Sequence, residues 1–120
     1  MCLDVTKVIG FDIPKGKVIA YKCVEKWEDG VYRNTWNASP INMTKWNHEP
    51  NPDLTIGAMN DSSYPRGFHA LKTRDEARRY SNNCGFIILK VELDNIHTAG
   101  LQSGCRVYVA KKFRVISRVR

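Results

Sequence analysis

The chain has 120 residues, a length that suits one domain, and its 42% hydrophobic and 10% aromatic content is ordinary for a folded globule. We therefore expect a single domain over residues 1–120 and no multi-domain machinery. No apolar run approaches the ~18 residues that a membrane span needs, and Asp4 and Lys7 stand where a signal peptide is apolar. A cytoplasmic protein without a membrane partner is predicted.

The net charge of +7 arises from the second half of the chain. Residues 1–60 hold seven Lys/Arg and seven Asp/Glu, whereas residues 61–120 hold twelve against five, with eight of the nine arginines. Guanidinium groups are planar and permanently charged, and they grip phosphate or carboxylate with two parallel hydrogen bonds. An anionic partner is therefore expected, the alternative being a basic surface that only favours solubility.

The first predicted element is a β-hairpin. Residues 17–27, "KVIAYKCVEKW", and 31–36, "VYRNTW", are rich in β-branched and aromatic residues, and Asp29-Gly30 between them suits a tight turn. From about 37 to 65, four prolines and several asparagines predict a long ordered loop of the kind that is usually functional or mobile. Trp46 in this loop either anchors it on the core or forms a platform that faces a ligand.

A short helix is predicted from about Arg74. Thr73 and Glu76 have the spacing of a capping box, in which the threonine hydroxyl accepts a free N–H and Glu76 reaches back. Ala77 and Tyr80 then face inward, and "NNCG" ends the helix. Two turns of helix are marginal alone, so this helix must pack on a sheet.

Three strands are predicted after the helix: "FIILKVEL" (86–93) in the centre, "RVYVA" (106–110), and "FRVISRVR" (113–120), with Lys111-Lys112 as the last connection. The period of two places Ile87, Leu89, Val91 and Leu93 on one face of the central strand. The order of elements predicts an α+β fold, a mostly antiparallel sheet of about five or six strands with one short helix packed on it.

The same alternation predicts an arginine ladder on the closing strand. Phe113, Val115, Ser117 and Val119 should face one side, and Arg114, Ile116, Arg118 and Arg120 the other. Such a ladder either contacts an anion or guards an edge strand against aggregation.

The segment "YPRGFHAL", residues 64–71, is predicted as an anion cradle. Gly67 allows a close approach of the backbone, and the helix that follows offers N–H groups, some of them already capped by Thr73. Arg66 is the candidate phosphate ligand, and Phe68 or His69 the candidate for stacking on a base. For Phe68 the favoured interpretation is a core residue; for His69 a hydrogen-bonded structural histidine is the competing one.

Enzymatic and metal chemistry have weaker signals. The four cysteines form no C-x-x-C pair, so neither disulfides nor a local zinc site is predicted, and no catalytic residue, metal or cofactor is assigned. Two alternatives stay open. Cys2 would become an N-terminal nucleophile after loss of Met1. A zinc site could assemble in space from Cys84, Cys105, His69 and His97.

The layout from "VIAYKCVE" through "GFHALKTRDEARRY" to "IILKVEL" and "RVYVAKKFRVI" resembles small phage and prophage proteins that start near "MCL", carry G-F-H before a short helix, and end in a basic strand. Among these it is similar to the first-described anti-Thoeris sponge proteins. The resemblance implies a homo-oligomer in the infected bacterium that sequesters glycocyclic ADP-ribose signals made by TIR-domain enzymes. The layout also resembles an ADP-ribosyltransferase fold, although the H-G-T and downstream glutamate pattern of that family is missing.

The predicted function is therefore sequestration, without turnover, of a small anionic nucleotide of the glycocyclic ADP-ribose or cyclic oligonucleotide type. Covering an adenine and neutralising two phosphates needs an aromatic ring and arginines. The candidate ligand-binding residues are Arg33, Trp46, Arg66, Phe68, His69, Arg106, Tyr108 and Arg114, with Trp36 as a further aromatic. The alternatives are a nucleic-acid-binding module that uses the basic C-terminal strands, an ADP-ribosyltransferase-like enzyme, and a protein that binds and inhibits a host factor.

Overall fold

The computed structural model describes residues 3–35, 37–57, 63–82 and 85–119. One sheet contains the six strands β1 Val18–Lys26, β2 Tyr32–Asn34, β3 Asn47–His48, β6 Phe68–Leu71, β7 Ile87–Gln102 and β8 Cys105–Arg118. A separate ribbon pairs β4 Thr55–Gly57 with β5 Ser63–Pro65, and helix α1 spans Arg74–Asn82. All strand pairings within these ranges are antiparallel, so the predicted α+β fold is confirmed. Cys2, Trp36, Cys84 and Arg120, which carried predictions, lie outside the described residues.

The predicted hairpin and helix both form. β1 pairs with β2 around a turn in which Gly30 has φ +81° and the Asp29 carboxylate accepts the Val31 N–H at 3.0 Å. Helix α1 begins at Arg74 as predicted, with Ala77 buried and Tyr80 half-buried. The described part of segment 37–65, predicted as a loop, contains three short strands, of which β3 pairs with β8.

The long hairpin β7–β8 curls the sheet into a partial barrel. β7 pairs with β1 through residues 87–93 and with β8 along most of its length, while residues 107–110 of β8 pair with β6. β6 returns to β1 at one pair, Tyr21 with Leu71. The pairings β1–β7–β8–β6–β1 therefore close on themselves, with β1 and β6 joined by that one pair.

The structure corrects the prediction for the C-terminal strands. β8 is continuous, because Lys112 pairs with His48 of β3 on one side and with Asp94 of β7 on the other, which holds the chain extended where a connection was predicted. β7 runs on past Leu93 to Gln102. Its second half was not predicted as strand, because Asn95 has φ +55° and an irregularity between Ile96 and Thr98 breaks the alternation.

A β-bulge divides the predicted arginine ladder. Ile116 is the extra residue between two consecutive pairings with β7. A one-residue bulge shifts the alternation, and cross-strand partners lie on the same face. Arg114 lies opposite Glu92, whereas Arg118 lies opposite Leu89, whose side chain faces the other way. The prediction that these arginines share one face is therefore wrong.

Two apolar clusters pack on the two faces of the sheet. The first contains Leu89, Val91 and Leu93, as the alternation in β7 predicted, and the N-terminal segment covers it through Phe11. The second lies under α1 and includes Ala77.

Glu76 ties α1 to the sheet. Its N–H donates to Thr73 Oγ1 at 3.2 Å, as the capping box predicts, and the Thr73 hydroxyl donates to the carboxylate at 2.8 Å. The same carboxylate accepts the Arg106 backbone N–H at 2.6 Å and the guanidinium at 2.8 Å. Burial alone would raise the pKa of Glu76, but the hydrogen bonds from Arg106 and Thr73 outweigh it and the pKa is lowered.

Glu76→Ala is expected to destabilise the protein by about 2–3 kcal/mol in urea denaturation at pH 7, because two charge-assisted bonds and part of the cap are lost. The matched control is Asp75→Ala, which removes an exposed acid from the same helical turn. It should cost only about 0.3–1 kcal/mol, the contribution of a helix-dipole interaction. Equal losses in the two variants would contradict the role given to Arg106.

Candidate functional site

A cavity of about 230 Å³ lies beside β1 and the start of β6, the two strands that a single residue pair joins. Its walls come from β1, from the start of β6, from the turn after β2 and from the loop around β3. The lining residues are Lys22, Asn34, Thr35, Asn37, Ser39, Pro40, Asn47, His48, Glu49, Pro50, Gly67, Phe68 and His69.

Lys22 is the buried cation of this cavity. It is 5% exposed, and its Nζ donates to the main-chain carbonyl of His69 at 3.1 Å. The ring centroids of Phe68 and Phe113 lie 5.6 and 5.3 Å from Nζ. No carboxylate oxygen of a described residue lies within 4.0 Å of it. Burial lowers the pKa of Lys22 to about 8, with a small opposing effect of Cys23.

Asn34 lines the same cavity and has an amide oxygen without a described partner. Its amide nitrogen donates to the Ser39 hydroxyl at 2.8 Å and to the Ser39 carbonyl at 3.3 Å. Because that carbonyl can only accept, the amide orientation is fixed and Oδ1 points away from it. Asn34 Oδ1 is buried, and no described residue donates a hydrogen bond to it. The cavity is thus lined by Lys22, a buried donor, and by Asn34, whose amide oxygen is buried and has no donor among the described residues.

His69 holds one wall as a structural histidine. Its Nε2 lies 2.8 Å from the Tyr64 hydroxyl, which accepts the Leu3 N–H at 3.0 Å. The ring also bonds to the Gly67 carbonyl, so the other ring nitrogen carries the hydrogen and Nε2 accepts from Tyr64. Burial, followed by the positive charge of Lys22, lowers the pKa of His69 to about 3, and the ring is neutral at pH 7.

Arg66 faces a carboxylate of the cavity wall. Its Nε lies 3.6 Å from Glu49 Oε1, and both side chains are largely buried. The Glu49 carboxylate is paired with Arg66, and His69 is neutral. The positive charge of Lys22 therefore has no negative charge among the described residues of this site to balance it. The close approach predicted at Gly67 is to β8: a Cβ there would lie 2.6 Å from the Ala110 carbonyl oxygen.

Three of the predicted ligand residues therefore meet at this site. Phe68 and His69 line the cavity and Arg66 contacts its wall. Phe68, for which a core residue is the favoured interpretation, does pack against the core: its ring centroid lies 4.7 Å from that of Phe113.

Three others lie elsewhere. Arg33 donates to Asp29 and to the Ala38 carbonyl, and Arg106 is bound to Glu76. Tyr108 packs in the first apolar cluster. Arg66, Arg106 and Arg114 each pair with a different carboxylate, and within one chain they do not gather around a common cavity.

The remaining two, Trp46 and Arg114, meet at a second place. The Trp46 ring centroid lies 5.3 Å from the Arg114 guanidinium, 5.2 Å from Lys112 Nζ and 5.7 Å from Lys17 Nζ. Carboxylates balance two of these cations, since Arg114 pairs with Glu92 and Lys112 with Asp94. This basic surface around Trp46 is separate from the residues that line the cavity.

The histidines and cysteine of the zinc alternative have other partners. Cys105 Sγ contacts the Glu76 carbonyl at 3.7 Å, and His97 lies 2.8 Å from the Thr98 hydroxyl. Across the described ranges, no group of three His, Cys, Asp or Glu side chains is placed to hold a metal ion.

Sequence reasoning missed Lys22, although a signal was present. Lys22 stands between Ala20 and Val24 in a strand where those positions face the first cluster. The alternation therefore placed Lys22 inward. Because lysine is rarely buried, composition alone selects the arginines as the candidate ligand-binding residues instead.

Comparison with protein-family models, with curated proteins and with solved structures finds no significant match. In the part of the chain that the structure describes, no helix is long and apolar enough to cross a membrane.

Proposed function

We propose that this protein binds a small anionic nucleotide in the cavity beside Lys22 and holds it without chemical conversion. The observation that carries the proposal is the buried Lys22 ammonium, which lines the cavity without a carboxylate of a described residue within 4.0 Å. A buried charge is costly unless it is paired. A phosphate oxygen would supply the missing counter-charge.

The unpaired amide oxygen supports a phosphorylated sugar as the bound part. Asn34 Oδ1 needs a donor, and a ribose hydroxyl or a base amine provides one beside the phosphate. The volume of about 230 Å³ is below the ~300–1,000 Å³ of typical ligand sites. One phosphate and its sugar would therefore lie inside, and the rest of a larger nucleotide at the opening.

Isothermal titration calorimetry with inorganic phosphate, AMP, ADP-ribose and cyclic ADP-ribose tests the proposal, with adenosine as the uncharged control. The charged ligands should bind and adenosine should not. Lys22→Met should weaken binding about 10- to 100-fold, because one charge-assisted bond contributes about 1.5–3 kcal/mol. Lys26→Met, at an exposed position of the same strand, should leave affinity unchanged. Binding of adenosine as tight as that of AMP, or full affinity in Lys22→Met, would contradict the proposal.

The fate of the ligand distinguishes binding without turnover from the enzyme alternative. Mass spectrometry of ligand recovered after long incubation should show an unchanged mass. A converted product would instead establish an ADP-ribosyltransferase-like activity.

The basic surface around Trp46 favours the second candidate, a nucleic-acid-binding module. Three cations around one indole suit a strand whose phosphates are neutralised while a base stacks. Oligonucleotide affinity would then fall steeply with salt, with a slope set by the number of phosphates neutralised. A nucleotide bound at Lys22 should show a much weaker slope.

The resemblance to phage sponge proteins supports the wider proposal that the bound nucleotide is an immune signal in the bacterial cytoplasm and that the protein is a homo-oligomer. Native mass spectrometry with the same ligands would report the number of subunits and of bound nucleotides together. A monomer that binds ligand would contradict the proposed homo-oligomer but not the proposed binding of a nucleotide in the cavity.

A further inference from the structure

We propose a second activity for the cavity: the Lys22 amine captures small phosphorylated aldehydes, such as open-chain sugar phosphates, as reversible imines. The inference concerns the same cavity as the proposed function but does not require the natural ligand to be a nucleotide. It rests on where the amine stands and on what surrounds it.

The geometry leaves the amine available for attack. Among the described residues, Lys22 Nζ makes one hydrogen bond, to the His69 carbonyl at 3.1 Å. A neutral amine has two N–H groups and one lone pair, so a single N–H donated to that carbonyl leaves the lone pair of this cavity-lining residue unused. An ordinary lysine bound to a carboxylate would stay protonated, but no described carboxylate lies within 4.0 Å.

The surroundings favour both the neutral amine and the cationic imine that replaces it. Burial lowers the pKa of Lys22 to about 8. At pH 7.5 about a quarter of Lys22 is therefore neutral, against about one in a thousand for an ordinary lysine. The rings of Phe68 and Phe113, 5.6 and 5.3 Å from Nζ, would stabilise a protonated imine as they do the ammonium.

The reaction is a condensation without oxidation or reduction. The Nζ lone pair forms a C–N bond to the aldehyde carbon, and the carbonyl oxygen takes up a proton to give a carbinolamine. The C–O bond then breaks and the hydroxyl leaves as water, so that the two hydrogens lost by the amine are balanced by the two in the water, and one further proton from solvent gives the cationic imine. Solvent at the mouth of the cavity supplies and takes up the protons of these steps.

The test is to incubate the protein with D-glyceraldehyde 3-phosphate and sodium cyanoborohydride at pH 7.5 and to map the reduced adduct by mass spectrometry of peptides. Lys22 should be modified at least about 10-fold faster than any exposed lysine, since its neutral fraction is about 200-fold larger. Excess inorganic phosphate should slow the modification.

Two variants separate this activity from anion binding. Lys22→Arg keeps the positive charge but cannot form an imine, so it should retain measurable AMP binding and lose the adduct. Lys26→Met removes an exposed lysine of the same strand and should leave the adduct at Lys22 unchanged.

Adducts spread over the exposed lysines, without enrichment at Lys22, would overturn the inference. Peptide mapping of the wild-type protein decides this even if a Lys22 variant fails to fold. Nucleotide binding without an adduct would leave the proposed function standing, whereas an adduct without nucleotide binding would leave only the aldehyde activity.

Discussion

Lys22→Met is expected to stabilise the ligand-free protein at pH 7 by about 1–2 kcal/mol while it weakens anion binding about 10- to 100-fold. The pKa of Lys22 is about 8 in the folded protein and 10.5 for an ordinary lysine. A shift of this size corresponds to a penalty of about 3 kcal/mol wherever the group is charged in both states. The loss of the bond to the His69 carbonyl, worth about 1–2 kcal/mol, offsets part of the gain.

The pH dependence of this effect has a definite sign. Between pH 8 and 10.5 the unfolded chain binds more protons than the folded protein, so the stability of the wild type should rise with pH in that interval. Lys22→Met lacks this rise, and its advantage should vanish by pH 10.5. Urea denaturation at intervals from pH 7 to 10.5 measures both curves.

Lys26→Met is the matched control, because Lys26 is exposed on the same strand. Its stability curve should run parallel to that of the wild type. Parallel curves for Lys22→Met as well, or a loss of stability at pH 7, would show that Lys22 is not a buried charge kept for a ligand.

Local patterns predicted those parts of the fold that depend on neighbouring residues. The turn at Asp29-Gly30, the cap at Thr73 and the apolar face of β7 each depend on residues within a few positions. The continuity of β8 through Lys111-Lys112 depends on strands β3 and β7, which pair with it from distant parts of the chain. Single-chain patterns do not contain that information.

The prediction of a site built on arginines has the same weakness, because it uses no information on tertiary contacts. Counting charges cannot show that Arg106 is satisfied by Glu76, 30 residues earlier, or Arg114 by Glu92, 22 residues earlier. In the folded chain, the cation without a described carboxylate partner at the cavity is Lys22 instead. The cavity that Lys22 lines is formed by strands and loops from distant parts of the chain, which the closed set of strands brings together.

His69→Gln is expected to make the protein less sensitive to acid. The pKa of His69 is about 3 in the folded protein and 6.5 for an ordinary histidine, because burial, and then the charge of Lys22, disfavour the imidazolium. As the pH falls from 6.5 to 3, the unfolded chain takes up a proton that the folded protein does not. The wild type should lose about 4–5 kcal/mol over this interval from this group alone.

His69→Gln should be less stable than the wild type at pH 7 but more stable in acid. Its amide oxygen can accept from Tyr64, but the bond to the Gly67 carbonyl is lost, so we expect a loss of about 1–2 kcal/mol at pH 7. The two stability curves should therefore cross between pH 6.5 and 3. His48→Gln, which removes an exposed histidine, is the control and should show no such crossing. A variant that unfolds in acid together with the wild type would contradict the buried neutral state of His69.

Combining the two substitutions tests whether Lys22 and His69 act on each other. Because the Lys22 charge is one cause of the lowered pKa of His69, Lys22→Met should by itself reduce the acid sensitivity. The effects of Lys22→Met and His69→Gln should then be less than additive as the pH approaches 3, where the folded protein begins to take up the His69 proton and each substitution removes part of the same repulsion. Urea denaturation of both single variants and the double variant at pH 7 and pH 3 completes this double-mutant cycle. Strict additivity at pH 3 would mean that burial alone keeps His69 neutral, and that the charge of Lys22 has no effect on it.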